Sequence, residues 1–443
     1  MRNLRPALAF TAVLVILAIC PLSAPAQPAP RSSAPLVELG PIPGPAVAPK
    51  DPMVATRAYL ETLPAEARAR SDAYFEGGYW LILGDFLVGS AIALLLLFTG
   101  VSARMRDLAA RVTRFRPLQA AVYWVQYVVA TAVLGFPLTV YEEYFREHEY
   151  GLSNMSFGAW MGDEGKGLLV SLVIGSIALP VLYLILARAR RTWWAWGTAA
   201  SVVFATISIA VAPVFIEPLF NDYVPLADAR VKDPILSLAR ANGITGVSEV
   251  MEVDASRQSK RVSANVAGLF GSERIALNDN LLARCSLPEI EAVMGHEMGH
   301  YVLNHVFATI VEIGVLILIA FAFVRFAFDR LRNRFGARWK VTGVDDPAGL
   351  PLFVLLFGIY LFVMTPVVNT IIRTHEAEAD LFGLNAARQP DGFAQVSLKL
   401  AEYRKLEPGP LEEILFYDHP SGRNRILMAM RWKTEQAKAP PHN

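Results

Sequence analysis

Cysteine is almost absent: this chain of 443 residues has two, Cys20 and Cys285, far apart and in different surroundings. That excludes a disulfide framework and a cysteine-based metal knuckle. Charge is also sparse. Asp, Glu, Lys and Arg make up 18% of the residues, 54% are hydrophobic, and mean hydropathy is +0.37. An ordinary soluble domain is less apolar, and membrane spans alone carry less charge; a membrane protein with a polar domain fits both figures. Neither sign dominates, the formal net charge being +1, and no nucleic-acid partner is expected. The arginines nevertheless gather in some loops and the acids in others.

What is present begins with Arg2 and Arg5, an apolar run from Ala7 to Cys20, and Ala24-Pro25-Ala26. This pattern predicts a signal peptide over 1–26, with an uncleaved N-terminal anchor as the alternative. Isoleucine at Ile19, just before Cys20, stands where a lipoprotein box needs a small residue, so lipidation is discounted. Residues 27–76 read as a Pro/Ala-rich linker, extended from Gln27 to about Asp51 where there is little to bury.

Four apolar stretches follow within 77–220, about Tyr79 to Val101, Leu118 to Val140, Gly167 to Ala187 and Trp194 to Ile216. Two more fall within 306–372, about Val306 to Phe328 and Gly349 to Ile372. Each is near the roughly 20 residues that a bilayer requires. Asp85 and Glu312 lie inside such stretches, where a carboxylate faces either a polar interior or the headgroup level.

The region 221–305 is polar and carries His296-Glu297-Met298-Gly299-His300, an H-E-x-x-H sequence. Residues four apart lie one above the other on a helix, so two imidazoles can meet one metal ion while Glu297 flanks the same space. Zinc takes neutral imidazole nitrogens at about 2.0–2.1 Å and keeps a position open for water, whose proton a neighbouring glutamate can remove at neutral pH. Ser286-Leu287-Pro288-Glu289 is a capping box that predicts a helix start upstream. With no proline between His300 and Phe328, the helix is expected to run unbroken into the next span. Upstream, a helix is predicted from Leu226 to Ala241, a strand around Val247 to Val253, and a hairpin of Val262 to Phe270 and Glu273 to Asn278 joined through Gly271-Ser272. That ribbon is either an edge for an extended peptide or purely structural.

A second polar region, 373–443, opens with Arg373-Thr374-His375-Glu376-Ala377-Glu378-Ala379-Asp380. Glu376 and Asp380 share a helical face, whereas Glu378 points elsewhere. One of the first two can ligate a metal while the other accepts the far N–H of a ligating histidine. The longer pattern H-E-x-x-H-x-x-G-x-x-H is missing, because Leu303 and Val306 occupy its last two positions; His305 is out of register and reads as a packing or supporting histidine.

Taken together, these residues resemble the membrane zinc metallopeptidases typified by the type I CAAX prenyl endopeptidase, with the bacterial heat-shock membrane protease as a more distant relative. Asn369, Arg373, Glu376, Ala379 and Asp380 fall on that family's N-x-x-x-R-x-x-E-x-x-A-D pattern. Ser263-Ala264-Asn265-Val266 resembles its strand motif and His419-Pro420-Ser421-Gly422-Arg423-Asn424-Arg425 its C-terminal H-P-P-x-x-x-R, with Val266 and Ser421 as departures. The resemblance implies a mainly α, polytopic membrane bundle around a water-filled chamber, with a gluzincin-type protease domain of helices and a small β-hairpin; the family has seven membrane helices, and beside the six apolar stretches here the N-terminal run would supply the seventh if it is not cleaved. It implies one Zn²⁺ per chain held by His296, His300 and Glu376, with Glu297 as general base. Asp380, Arg373 and Asn369 support the ligands, Asn265 binds substrate, and His419 and Arg425 act on substrate and the developing oxyanion.

The expected function is therefore a zinc-dependent endopeptidase cutting peptides or membrane-protein substrates at the bilayer. A silent scaffold or chaperone that has kept the fold is the alternative, against which the intact Glu297 speaks. The sequence does not address oligomeric state. Three short loops are arginine-rich: Arg104 to Arg116, Arg188 to Arg191, and Arg330 to Lys340. The positive-inside rule places all three in the cytoplasm, hence both metal-bearing regions outside it. In a bacterial cell that means an inner-membrane protein with a periplasmic active site; the prenyl-protease resemblance suggests the cytoplasmic orientation instead.

Overall fold

The computed structural model describes residues 51–267 and 274–438. The expected signal peptide or anchor, residues 27–50 of the linker and the Gly271-Ser272 turn lie outside the described residues. Among those described, six helices are long and apolar enough to cross a membrane: Ala65–Phe98, Arg116–Glu149, Phe157–Arg188, Trp193–Leu219, His305–Trp339 and Pro347–Ala387. Their flanks leave residues such as Val173, Ile177, Val311 and Val363 uncovered, which suits hydrocarbon, while Asp85, Glu142 and Asp163 are buried. Glu312 also turns inward, its Oε2 3.4 Å from His375 Nε2.

The rest of the predicted linker is helical. Helix α1 (Pro52–Glu61) starts where Asp51 accepts the Met53 N–H at 2.8 Å and Pro52 opens the first turn. Helix α2 (Ala65–Phe98) then runs straight into the first span. The linker expectation fails here because Tyr59, Leu60 and Leu63 have something to bury against: they join a core with Phe393, Leu398, Ile426 and Ala429. Helix α3 (Val101–Val112) and the ends of the later spans carry the arginines, and these meet at one end of the bundle. Arg106 pairs with Asp346 at 2.9 Å and Arg190 with Asp345 at 3.1 Å. A core of Trp124, Trp193, Phe321, Phe328, Phe353 and Phe357 packs the same end.

At the other end, strands β1 (Tyr223–Pro225), β2 (Val250–Val253), β3 (Ala264–Ala267) and β4 (Arg274–Asn278) form a sheet ordered β1-β2-β4-β3. The β3–β4 pair is antiparallel, as the predicted hairpin requires, and β2 lies parallel to β4. The sheet's Val250, Ile275 and Leu277 pack against Ile290, Met294 and Met298 of the next long helix.

That helix, Leu287–Val302, begins at the predicted capping box: the Ser286 N–H donates to Glu289 Oε2 at 2.6 Å, and Lys399 completes a buried ion pair with Glu289 at 2.8 Å. It does not run on into the following span. Asn304 adopts φ 57°, and a new helix starts at His305. Asparagine tolerates the left-handed region, so neither glycine nor proline is needed for this break. Conversely, the last span and the second metal-bearing region are one helix, Leu350–Ala387, so the boundary expected at 372/373 is not a break in structure.

Candidate active site

The helix of His296 and the helix of Glu376 approach closely because small residues face each other. A Cβ on Gly383 would stand 2.7 Å from the His296 backbone nitrogen, and one on Gly299 would stand 3.0 Å from Ala379 Cα. Backbone contact of this kind brings together groups that are 80 residues apart in the chain.

His296, His300 and Glu376 offer ligand atoms that all lie within 4.8 Å of one another. The two Nε2 atoms are 3.2 Å apart; His296 Nε2 is 3.2 Å from Glu376 Oε2, and His300 Nε2 is 3.5 Å from Glu376 Oε1. A tetrahedral ion bound at about 2.0–2.1 Å requires its ligand atoms about 3.3–3.4 Å apart, so the spacing fits zinc. Tautomers fit as well. Asp380 accepts from His296 Nδ1 at 2.7 Å, which leaves the Nε2 lone pair facing inward. Burial opposes a proton on His296, but Asp380 and Glu376 outweigh it and raise that ring to about 10, so the two carboxylates call for one positive charge between them, which a cation at Nε2 would supply in place of a proton. The pocket thus favours positive charge where the three ligand atoms converge. His300 is driven the other way, to about 4, by burial and by His296, and so stays neutral as a ligand must.

Glu297 follows His296 on the same turn and is half-buried. Burial raises its carboxyl to about 7, with His296 opposing and Glu376 reinforcing the shift. A carboxylate at that value is matched to taking a proton near neutrality.

His419 reaches the cluster from the C-terminal segment. Its Nε2 is 3.1 Å from Glu376 Oε2, and its Nδ1 is 2.8 Å from Asp418 Oδ1. Asp418, not anticipated from the sequence, is held at about 2: burial raises it, but the neighbouring His419 charge prevails. Asn369 and Arg373 do not touch the cluster. Asn369 Nδ2 donates to the Leu415 carbonyl at 2.8 Å, and Arg373 Nη1 donates to the carbonyls of Glu413 at 2.9 Å and Tyr417 at 2.5 Å. They clamp the strap that delivers His419. Ser421, where the resemblance expects proline, uses the N–H proline lacks to donate to Glu413 at 2.9 Å.

Arg425 is held by Asp380. Its Nε and Nη2 donate to the two oxygens of Asp380 at 2.9 and 2.5 Å, both groups being buried. The same Asp380 carboxylate meets His296 Nδ1. Asn265, on β3 opposite Ala276, has a buried Oδ1 with no hydrogen-bond partner among the described residues. His305 is less idle than its register suggested: its Nδ1 is 3.0 Å from His300 Nδ1.

Comparison with known proteins covers most of the chain. The sequence model of peptidase family M48 matches residues 225–433, and that of the CAAX prenyl protease N-terminal region, five membrane helices, matches residues 57–222. An uncharacterized metalloprotease of Bacillus subtilis, YhfN, is 28% identical over 78% of this chain and 80% of its own length. CAAX prenyl protease 1 of Saccharomyces cerevisiae is 29% identical, covering 70% of this chain and 71% of the relative. The crystal structure of S. mikatae Ste24p superposes with a TM-score of 0.70 at 22% identity, over 86% of this chain and 94% of that one, and shares the fold.

Proposed function

Since the chain belongs to peptidase family M48 and is an integral membrane metalloprotease, we propose that it is a zinc endopeptidase using His296, His300 and Glu376 as ligands. The carrying observation is the set of 3.2, 3.2 and 3.5 Å separations among their ligand atoms. When bound, zinc supplies Lewis-acid chemistry, polarising the scissile carbonyl and acidifying water. Glu297 takes the water's proton and returns it to the leaving amine. His419, its Nδ1–H held by Asp418, presents Nε2 toward the reacting carbonyl's oxygen. Arg425 works through Asp380, whose carboxylate fixes the His296 ring. An extended peptide adds to the outer edge of β3, where Asn265 Oδ1 supplies the buried acceptor it needs.

The site lies at the bundle end opposite the three arginine-rich loops, which supports an extracytoplasmic catalytic face. We place the substrates accordingly: peptide segments of membrane-anchored proteins emerging from the bilayer on that side. The yeast relative is named for CAAX prenyl substrates, but that face is remote from cytoplasmic lipidated proteins. Purified protein in nanodiscs with zinc, offered a prenylated tetrapeptide tail and an unlipidated membrane-protein substrate in parallel, tests this. Cleavage of the second is expected; cleavage of the prenylated tail alone overturns the substrate assignment, and cleavage of neither overturns the enzyme.

A further inference from the structure

His300 lacks the direct carboxylate that His296 has in Asp380, yet its outer nitrogen is not left to solvent. On an unbroken helix, His305 would sit about 140° around the axis from His300. The left-handed turn at Asn304 swings it back, so that His305 Nδ1 lies 3.0 Å from His300 Nδ1. The far nitrogen of the same ring, Nε2, lies 3.1 Å from Glu378 Oε2. His305 is buried, whereas the Glu378 side chain is 57% exposed. The ring also stacks on His375, with centroids 4.6 Å apart and planes at 11°.

Hydrogen bonding along this chain runs in one direction. A carboxylate only accepts, so Glu378 calls for the proton of His305 on Nε2. That leaves His305 Nδ1 as a lone pair, which in turn calls for N–H on His300 Nδ1. The remaining nitrogen, His300 Nε2, is then a lone pair aimed at His296 Nε2 and Glu376. We propose that His305 and Glu378 are positioning residues for the metal site, jointly holding His300 in the tautomer and ring orientation that present Nε2 to the ion. Both ligating histidines are thereby backed by a carboxylate, one directly through Asp380 and one at a remove through His305. The inference rests on His300 being a ligand, and carboxylate backing of a ligating histidine is worth about 10–100-fold in metal affinity.

The full-length protein in detergent, titrated with zinc against a chromophoric chelator, tests the pair without reference to turnover. Glu378→Ala is half-exposed and leaves packing intact; His305→Phe keeps the stack on His375 while removing both nitrogens. Each variant is expected to weaken zinc about 10–100-fold. The double variant is expected to match the singles instead of multiplying them, because the two residues act in series. Glu378→Gln, whose amide oxygen still accepts from His305, restores most of the loss. Unchanged zinc affinity in Glu378→Ala, multiplicative losses in the double variant, or a Glu378→Gln as weak as Glu378→Ala overturns the proposal. His296→Ala serves as the separate control: if it still binds zinc with native affinity, the metal site itself is wrongly placed.

Discussion

Oδ1 of Asp380 sits 2.7 Å from Nδ1 of His296, and the same carboxylate is gripped from behind by the Arg425 guanidinium. A buried charge pair thus holds the ring of this proposed ligand at Nδ1 while Glu376, one turn earlier on the same helix, approaches it at Nε2. Removing the two acids should therefore have unequal effects. Glu376→Ala is expected to abolish stoichiometric zinc binding, whereas Asp380→Asn should weaken it about 10–100-fold. Metal content by emission spectroscopy after dialysis distinguishes the two; native metal content in Glu376→Ala sinks the ligand assignment.

Glu297 is expected to act on the proton and not on the metal. Glu297→Gln should keep its zinc and lose about 10²–10⁴-fold in kcat, measured on any peptide the native enzyme cleaves. Full activity in this variant would exclude it as the base.

Gly383 has no room for a methyl group. Gly383→Ala places carbon 2.7 Å from the His296 nitrogen and must push the two ligand-bearing helices apart. Overpacking of this kind costs about 1–3 kcal/mol, and a lowered Tm should be accompanied by weaker zinc retention. A variant that melts lower but binds zinc normally would show that the site tolerates the displacement.

Cys285 should be inert. Burial pushes its thiol up to about 12, with Lys399 opposing the shift, so little thiolate exists at neutral pH. Iodoacetamide at pH 8 should leave Cys285 unmodified in the native protein and alkylate it after denaturation, as read by peptide mass mapping.

The proposed membrane sidedness rests on the arginine-rich loops at one end of the bundle. Alkaline phosphatase fused after Asp279 should be active, and fused after Lys340 inactive; the reverse pattern restores a cytoplasmic active site.

Legibility tracked how local each signal was. The helix of His296 announced itself through a capping box and i, i+4 ligand spacing, both complete within 15 residues. Glu376 and Asp380 were legible as one helical face, but which of them stands beside the Nε2 atoms of His296 and His300 came only from resemblance. The break at Asn304 had no proline or glycine to mark it, and so sequence left His305 between packing and support without pointing to His300; Glu378, placed on a different face, proved to face His305. Asp418 was unreadable because an acid beside a histidine is commonplace until the fold points both inward. Arg425 was legible by pattern, but its grip on Asp380 was not, since sequence does not tell which carboxylate a guanidinium approaches. Residues after Asp51 were misjudged because their burial depends on Phe393 and Ile426, more than 330 residues away.

The helix Leu350–Ala387 crosses the membrane and carries Glu376 near its far end, which sets an order of events during biosynthesis. His296 and His300 leave the ribosome first, but the third ligand reaches them only after two further spans have been threaded through the bilayer and the second has returned to the side of the first two ligands. The Asp380 partner, Arg425, and the strap bearing His419 are made later still. With Glu376 as the proposed third ligand, a nascent chain carries its H-E-x-x-H helix before it can complete the metal site. On that ligand assignment, proteolytic competence arrives only when insertion is finished.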